Sequence, residues 1–515
     1  MMNLSEKTHS FVSLAQLFPG AAFAADVRDN VRIVKDNLSQ SLTAYVLDEI
    51  DQKPELFELR QRLDDLGKET SLIWCDREKL QKITHQFNAT EEKTVNPSDV
   101  QALVISIIAR AVELRSSDIH IRIQQSYTKV LYRIDGNLRA VQNESAVWGQ
   151  RLVNTLYNSM CEERSITQLS YTEEGDARIR EEFVMGFGLS TGRFASRPGG
   201  QGRLIAVIRL VNRRKESLRF EQLGLTPDEE ITLKRVLSGS GGTFFSGPTG
   251  HGKSTVSQCS AEYLMADDDG VNLLTVEDPI ESPINGAFQT PLSIKDRSDK
   301  ALMSRAWAEA ITNLMRLDPD RLYIGEVRDA GSANGAVEAI QTGSPVLTTI
   351  HTNSPADIPQ RLKRFGVDED LLFDPTIISG LVGVRLAPLL CRDCRLPYQQ
   401  HRNSVPAVFR ALIEEHTGVS NVYIRKPGGC DCCGGSGIRG RTGVFEVIET
   451  DNEFMRLYTD KGKIAAYLRW IEKGGVTLCE NVRRLINDGA IDPVYAHKRI
   501  CNLDRDSKLK AGTNL

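Results

Sequence analysis

The feature that most constrains this chain is one run, Gly247-Pro248-Thr249-Gly250-His251-Gly252-Lys253-Ser254. It matches GxxxxGK[ST] at every fixed position, follows the apolar stretch Thr243 to Ser246 and opens a helical segment that continues through Thr255, the context such a loop requires. Its glycines let backbone N–H groups converge on a β-phosphate, and the helix N-terminus adds positive potential. Lys253 is placed to bridge the β- and γ-phosphates, and the Ser254 hydroxyl to ligate Mg²⁺.

Three further apolar stretches end in polar residues: Leu273 to Val276 in Glu277-Asp278-Pro279, Leu322 to Ile324 in Gly325-Glu326, and Val346 to Ile350 in His351. Short strands alternating with helical segments predict an α/β domain with a mostly parallel sheet. In such a sheet these strand ends share one crevice with the phosphate loop. Two carboxylates and an imidazole would then meet the triphosphate, one acid on the Mg²⁺ side and one orienting water. Singly, each has an ordinary reading, Asp278-Pro279 as a turn and His351 as a core histidine.

The chain has 515 residues, which sets a prior of about three domains. Apolar residues at 40% and charged residues at 26% exclude a collagenous or mainly disordered protein. A net charge of −4 speaks against a protein that coats nucleic acid, so no stable nucleic-acid partner is expected. The best apolar run, Ala102 to Val112, carries Ser106 and Arg110 and falls short of a membrane span. Ala22-Phe23-Ala24 imitates a signal-peptide cleavage site, but Ser13, Gln16 and Pro19 dilute the segment and Glu6 sits beside Lys7. The expectation is a cytoplasmic chain.

Residues 1–94 show helical patches such as Leu56 to Leu66 and no evident chemistry. Asn96-Pro97 then signals a helix start, and Val100, Leu103, Val104, Ile107, Ile108 and Ala111 form an amphipathic stripe. After Asp118 the period changes: Ile119, Ile121 and Ile123 alternate, as do Val130, Tyr132 and Ile134, with a turn at Asp135-Gly136. Leu204 to Val211 follows a turn expected at Pro198-Gly199-Gly200. Residues 95–212 therefore read as an α+β domain, 213–220 as a charged linker, and 221–515 as the phosphate-loop domain.

Ten cysteines are present, four of them in two CxxC pairs, Cys391/Cys394 and Cys430/Cys433. In a large intracellular chain this favours metal over a disulfide framework. Four thiolates suit tetrahedral Zn²⁺ in a closed, structural site.

Taken together, these segments resemble the motor ATPases of type II secretion and type IV pilus assembly. Glu277-Asp278-Pro279-Ile280-Glu281 is similar to the family's acidic box, Arg316 to Asp329 to its Walker B region, and Thr342-Gly343 with Thr348 to Asn353 to its histidine box. Ser344 departs from the histidine usual after Thr-Gly. The resemblance implies a RecA-like P-loop core preceded by a PAS-like α+β domain and carrying a zinc module at about 388–446. By the same resemblance Glu277 activates water, Glu326 serves the Mg²⁺ side and His351 senses the γ-phosphate. Arg133, Arg193 and Arg209 lie in segments similar to those that supply arginines to a neighbouring subunit's site, although Thr172 to Asp176 departs from the family pattern. The run from Gly429 to Glu446 is similar to the family's second cysteine pair, with Cys432 as a bystander.

The function so implied is a hexameric, Mg²⁺-dependent ATPase at the cytoplasmic face of the inner membrane. It would drive assembly of a type IV-like pilus, the conjugative type IVB kind included, with type II protein secretion as the alternative. Residues 1–94 would dock on an inner-membrane platform protein, and pilin would be moved only indirectly. Two rivals are a DNA-translocating motor, which would need a basic pore loop, and a scaffold that binds ATP without hydrolysing it. The second would need a missing acid or lysine, whereas Lys253, Glu277 and Glu326 are all present.

Overall fold

The computed structural model describes residues 97–212, 218–267, 270–294 and 299–511, together with 9–12, 14–18, 27, 30–36, 39, 41–50, 54–66, 69–80 and 82–83. The Ala22-Phe23-Ala24 segment and residues 213–217 of the expected linker lie outside them. The chain divides into two compact units, Met1–Leu103 and Val104–Leu515. Among the described residues no helix is long and apolar enough to cross a membrane.

The first unit holds a four-stranded sheet in the order His9–Val12, Val31–Asp36, Leu42–Leu47, Thr70–Cys75. The last pair is parallel, which demands a crossover, and helix Pro54–Asp65 supplies it. Val31, Ile33, Leu42, Ala44, Leu56, Leu59 and Leu63 form its buried core. The helix was legible from its apolar spacing. The six-residue strands were not: Val31–Asp36 loses its alternation at Val34 and ends in Lys35 and Asp36, and Leu42–Leu47 runs apolar from Ala44 on without alternating.

The second unit begins within helix Pro97–Glu113, whose part from Val104 on buries Val104, Ile107, Ile108 and Ala111. A seven-stranded sheet follows, ordered Asn137–Ser145, Tyr127–Ile134, Ser116–Ile123, Arg203–Asn212, Leu189–Gly200, Gly175–Ile179, Cys161–Glu162. Ile119, Ile121 and Ile123 are buried on one face, as period-two alternation requires. The turn expected at Pro198-Gly199-Gly200 falls one step later. Pro198 to Gly200 complete a strand, and Gln201-Gly202 turn the chain with φ of 51° and 72°, the left-handed pair that a two-residue hairpin selects.

The second sheet of this unit also has seven strands: Phe288–Pro291, Leu273–Glu277, Arg321–Val327, Val346–Ile350, Gly242–Ser246, Ile378–Leu390 and Ile438–Glu449. All neighbours are parallel except the last two. Phe244, Val276, Ile324 and Ile350 face one buried cluster, while Phe245, Leu273, Tyr323 and Leu347 face another. A sheet covered on both faces needs apolar residues at consecutive positions. Helices Lys300–Met315 and Ala330–Gln341 pack on the first face through Trp307, Ile311 and Val337. Helices Pro227–Ser238 and Lys253–Asp267 pack on the second through Leu233, Val256 and Leu264.

Candidate functional site

Four adjacent parallel strands end in Glu277, Glu326, His351 and Gly247, in that spatial order. The crevice read from the sequence is thus framed by the strand order. Gly247 has φ of 155°, and a Cβ there would lie 2.4 Å from the Val384 carbonyl oxygen, so the loop passes too close to its neighbour for a side chain. Helix Lys253–Asp267 starts at the lysine. Ser254 and Thr255 are half-buried in its first turn.

Lys253 is buried and donates from Nζ to the carbonyl oxygens of Gly247 (2.9 Å) and Pro248 (3.2 Å). Its Nζ lies 3.3 Å from His351 Nδ1, and His351 Nε2 lies 3.2 Å from Glu326 Oε1. An ammonium can only donate, so this chain of contacts assigns the Nε2–H tautomer to His351. Lysine, imidazole and carboxylate are one connected unit. Burial pushes Lys253 down to about 8, with Glu326 opposing and Arg385 adding to the fall. Burial pushes Glu326 up, yet the hydrogen bond from His351, with the charges of Arg328 and Lys253, outweighs it and holds the carboxyl below its ordinary range.

Glu326 owes its placement to a register shift. Ile324 pairs with Thr348, but Val327 pairs with Ile350, so one extra residue stands in the strand at Gly325-Glu326. Such a bulge re-aims a side chain at a strand end. A Cβ at Gly325 would sit 3.3 Å from Glu277 Cα, so glycine also admits the second acid. Glu277 is 3% exposed, and its Oε1 accepts from Thr275 Oγ1 (2.9 Å) and Gln289 Nε2 (2.8 Å). Burial raises its pKa against those two hydrogen bonds, the direction suited to a proton acceptor.

The three arginines divide. Arg133 Nε and Arg209 Nε both approach the Asp118 carboxylate, at 3.5 and 3.2 Å. Arg193 Nη2 instead donates to the Asp278 carbonyl oxygen at 2.7 Å, joining the α+β layer to the acidic box of the same chain. Asp278 in turn receives Arg328 Nη2 at 2.9 Å. Ser344, at the departure from the family pattern, is buried and bonds the Pro319 carbonyl oxygen at 3.4 Å.

Reading the sequence missed Gln289, which orients Glu277, and Arg385, which is buried behind the phosphate loop. Neither falls in a motif. His251 was read as one of the ATP-binding residues of the phosphate loop, with no partner of its own. Its Nδ1 accepts from the Leu386 N–H at 3.2 Å, and burial, then Arg385 and Lys253, lower its pKa to about 4, which keeps it neutral.

The second site lies where the antiparallel pair ends. Leu390 pairs with Ile438, so Cys391 and Cys394 emerge beside Cys430 and Cys433 despite the long insertion between them. The four sulfurs lie within 4.8 Å of one another, with Cys391–Cys430 at 3.8 Å, Cys394–Cys433 at 3.9 Å and Cys430–Cys433 at 3.7 Å. A tetrahedron with metal–sulfur bonds of about 2.3 Å has edges of about 3.8 Å, so the thiols fit Zn²⁺. Gly429 has φ of 55°, and a Cβ there would approach Cys433 Sγ to 2.7 Å. Cys432 is exposed and outside the cluster.

The sheet order, the phosphate loop and the strand-end acids define a P-loop nucleotide-binding protein. Its family is known as well: the chain belongs to the Type II/IV secretion system protein family, whose model matches residues 93–494. It is 27% identical over 401 residues to the Type II secretion system ATPase E of Vibrio cholerae, across 78% of this chain and 74% of that one. With the Type II secretion system protein HxcR of Pseudomonas aeruginosa it shares 30% over 413 residues, across 77% and 79%. Among solved structures it resembles the Yersinia pseudotuberculosis ATPase DotB, with TM-score 0.51, 19% identity, and 79% and 94% of the two chains covered. The pilus retraction motor PilT with bound ADP gives 0.50, 21%, 76% and 96%. These structural likenesses show the fold, a RecA-like core.

Proposed function

We propose that this chain is an ATP hydrolase that powers a type II secretion machine. The observation that carries the chemistry is the connected unit of Lys253, His351 and Glu326 beside the buried Glu277. Bound Mg²⁺, which Ser254 and Glu326 would hold, supplies charge neutralisation to the phosphates. The chain's own residues do the rest. The loop amides and Lys253 bind the phosphates, Glu277 takes a proton from the attacking water, and His351 reports the γ-phosphate to Glu326. Arg193 holds the acidic box against the α+β layer.

The order of the two secretion-related readings changes here. The resemblance placed pilus assembly first, whereas the relatives named above carry type II secretion in their names, which supports the alternative. We read the working form as a homo-hexamer seated on an inner-membrane platform, with Zn²⁺ on the four cysteines as a folding element. Arg133 and Arg209, anchored on Asp118, are proposed to face a neighbouring protomer's nucleotide.

Cells in which Glu326→Gln replaces the wild-type chain separate the readings. Secreted proteins held back inside the cell, with surface filaments unchanged by electron microscopy, support a secretion motor. Filament loss with normal secretion would instead make the chain a pilus-assembly motor.

A further inference from the structure

Arg385 is 8% exposed and sits on the Ile378–Leu390 strand, directly behind both nucleotide-facing loops. Its Nη2 donates to the Asn353 carbonyl oxygen, two residues past His351, and its Nη1 to the Val384 carbonyl oxygen at 3.1 Å. The same Nη1 lies 3.2 Å from where a Cβ on Gly247 would stand, so the guanidinium packs against the first residue of the phosphate loop. The next residue, Leu386, donates its N–H to His251 and packs below Gly252. One strand therefore touches the phosphate loop at three points and the histidine segment at one.

A buried cation needs a counter-charge. Arg385 pairs with Val444 and Gly383 with Glu446, so Arg385 and Glu446 stand diagonally on one face of the ladder. Glu446 is fully buried and accepts at Oε2 from Tyr467 Oη (2.7 Å) and the Leu478 N–H (2.8 Å), with Arg505 Nη1 at 3.5 Å. Its Oε1 has no hydrogen-bond partner among the described residues.

We propose that Arg385 is a positioning residue that holds the His351 segment in register with the phosphate loop, so that the site distinguishes a nucleoside triphosphate from a diphosphate. The diphosphate needs only the loop amides and Lys253. The γ-phosphate also needs His351, whose backbone reaches the loop through Asn353 and Arg385. The inference rests on the nucleotide-binding reading of this site but not on hydrolysis.

The test uses the purified full chain with Mg²⁺ and compares Kd for ATPγS and for ADP in wild type, Arg385→Gln and Arg385→Lys, alongside thermal unfolding and phosphate release. Wild type is expected to prefer ATPγS by about tenfold, and Arg385→Gln to bring the ratio within about threefold, chiefly by weakening ATPγS. Arg385→Lys keeps the charge but not the fork, and is expected to lose about threefold of the ratio. Should Arg385→Gln fail to fold, Arg385→Lys decides. A ratio unchanged in the folded variants, a wild type without the preference, or equal losses for both nucleotides with a lowered Tm would each overturn the proposal. A wild type that binds with this preference yet releases no phosphate would sink the hydrolysis reading and leave Arg385 standing.

Discussion

The nucleotide site and the four-cysteine site are both built at strand ends of one sheet, yet they are opposite kinds of site. The cysteines already satisfy their geometry: four sulfurs at tetrahedral spacing, with Cys433 Sγ also accepting N–H bonds from Cys430 and Gly437. The nucleotide groups instead hold one another, Lys253 on loop carbonyls and His351, and His351 on Glu326. Those contacts are ones that phosphates can replace. A closed site contributes to folding and an open one to chemistry, and substitutions should separate the two.

The largest effect is expected at the open site. Lys253→Ala should lower ATP turnover by about a thousandfold, as loss of a charge aimed at the transferring phosphoryl does, while Tm stays within a few degrees of wild type. A parallel fall in Tm would erase the distinction. The converse experiment is Cys430→Ser or a chelator. Bound zinc, measured by mass spectrometry, should drop from about one per chain, and the module should unfold, since such ions contribute roughly 10 kcal/mol or more of folding free energy. Metal content that stays at the wild-type level would sink the assignment of the ligands.

How much of this was legible beforehand follows the same divide. Lys253, Glu277, Glu326 and His351 could be found because parallel strands bring their C-terminal ends together, so sequence order at four strand ends translates into space. The cysteine pairs could be found because thiol spacing is local. The roles of Arg385 and Gln289 were hidden. A buried arginine inside an apolar strand and a glutamine on a four-residue edge strand carry no periodic or spacing signal, and only tertiary contact reveals their partners. The strands of the first unit were hidden because they are short and alternate over too few residues, as Val31–Asp36 and Leu42–Leu47 show.

Proton linkage gives a finer test of the open site. Lys253 stands at about 8 against an ordinary 10.5. Between those values the unfolded chain binds more protons than the folded one, so this residue makes stability rise with pH there. Bound phosphates favour the charged ammonium and restore its pKa. Calorimetry of ADP binding at pH ~8.5 in buffers of different ionisation heat should therefore show uptake of up to about one proton, falling toward zero near pH ~6.5. Uptake that is the same at both pH values, or absent, would contradict a buried, depressed lysine.

The smallest effect is expected at the closed site's edge. Cys432→Ser should change neither zinc content nor Tm, because the exposed thiol lies outside the tetrahedron. Loss of zinc in that variant would make Cys432 a ligand and remove the distinction between it and Cys433.

The central claim is that the connected strand-end residues hydrolyse ATP. Its most direct test is phosphate release by the purified chain and its Glu326→Gln variant, with ATP affinity measured beside it. The account predicts wild-type turnover with Mg²⁺, and in the variant a Kd within about threefold of wild type but turnover lower by about a hundredfold or more. Turnover near the wild-type rate in Glu326→Gln would contradict it.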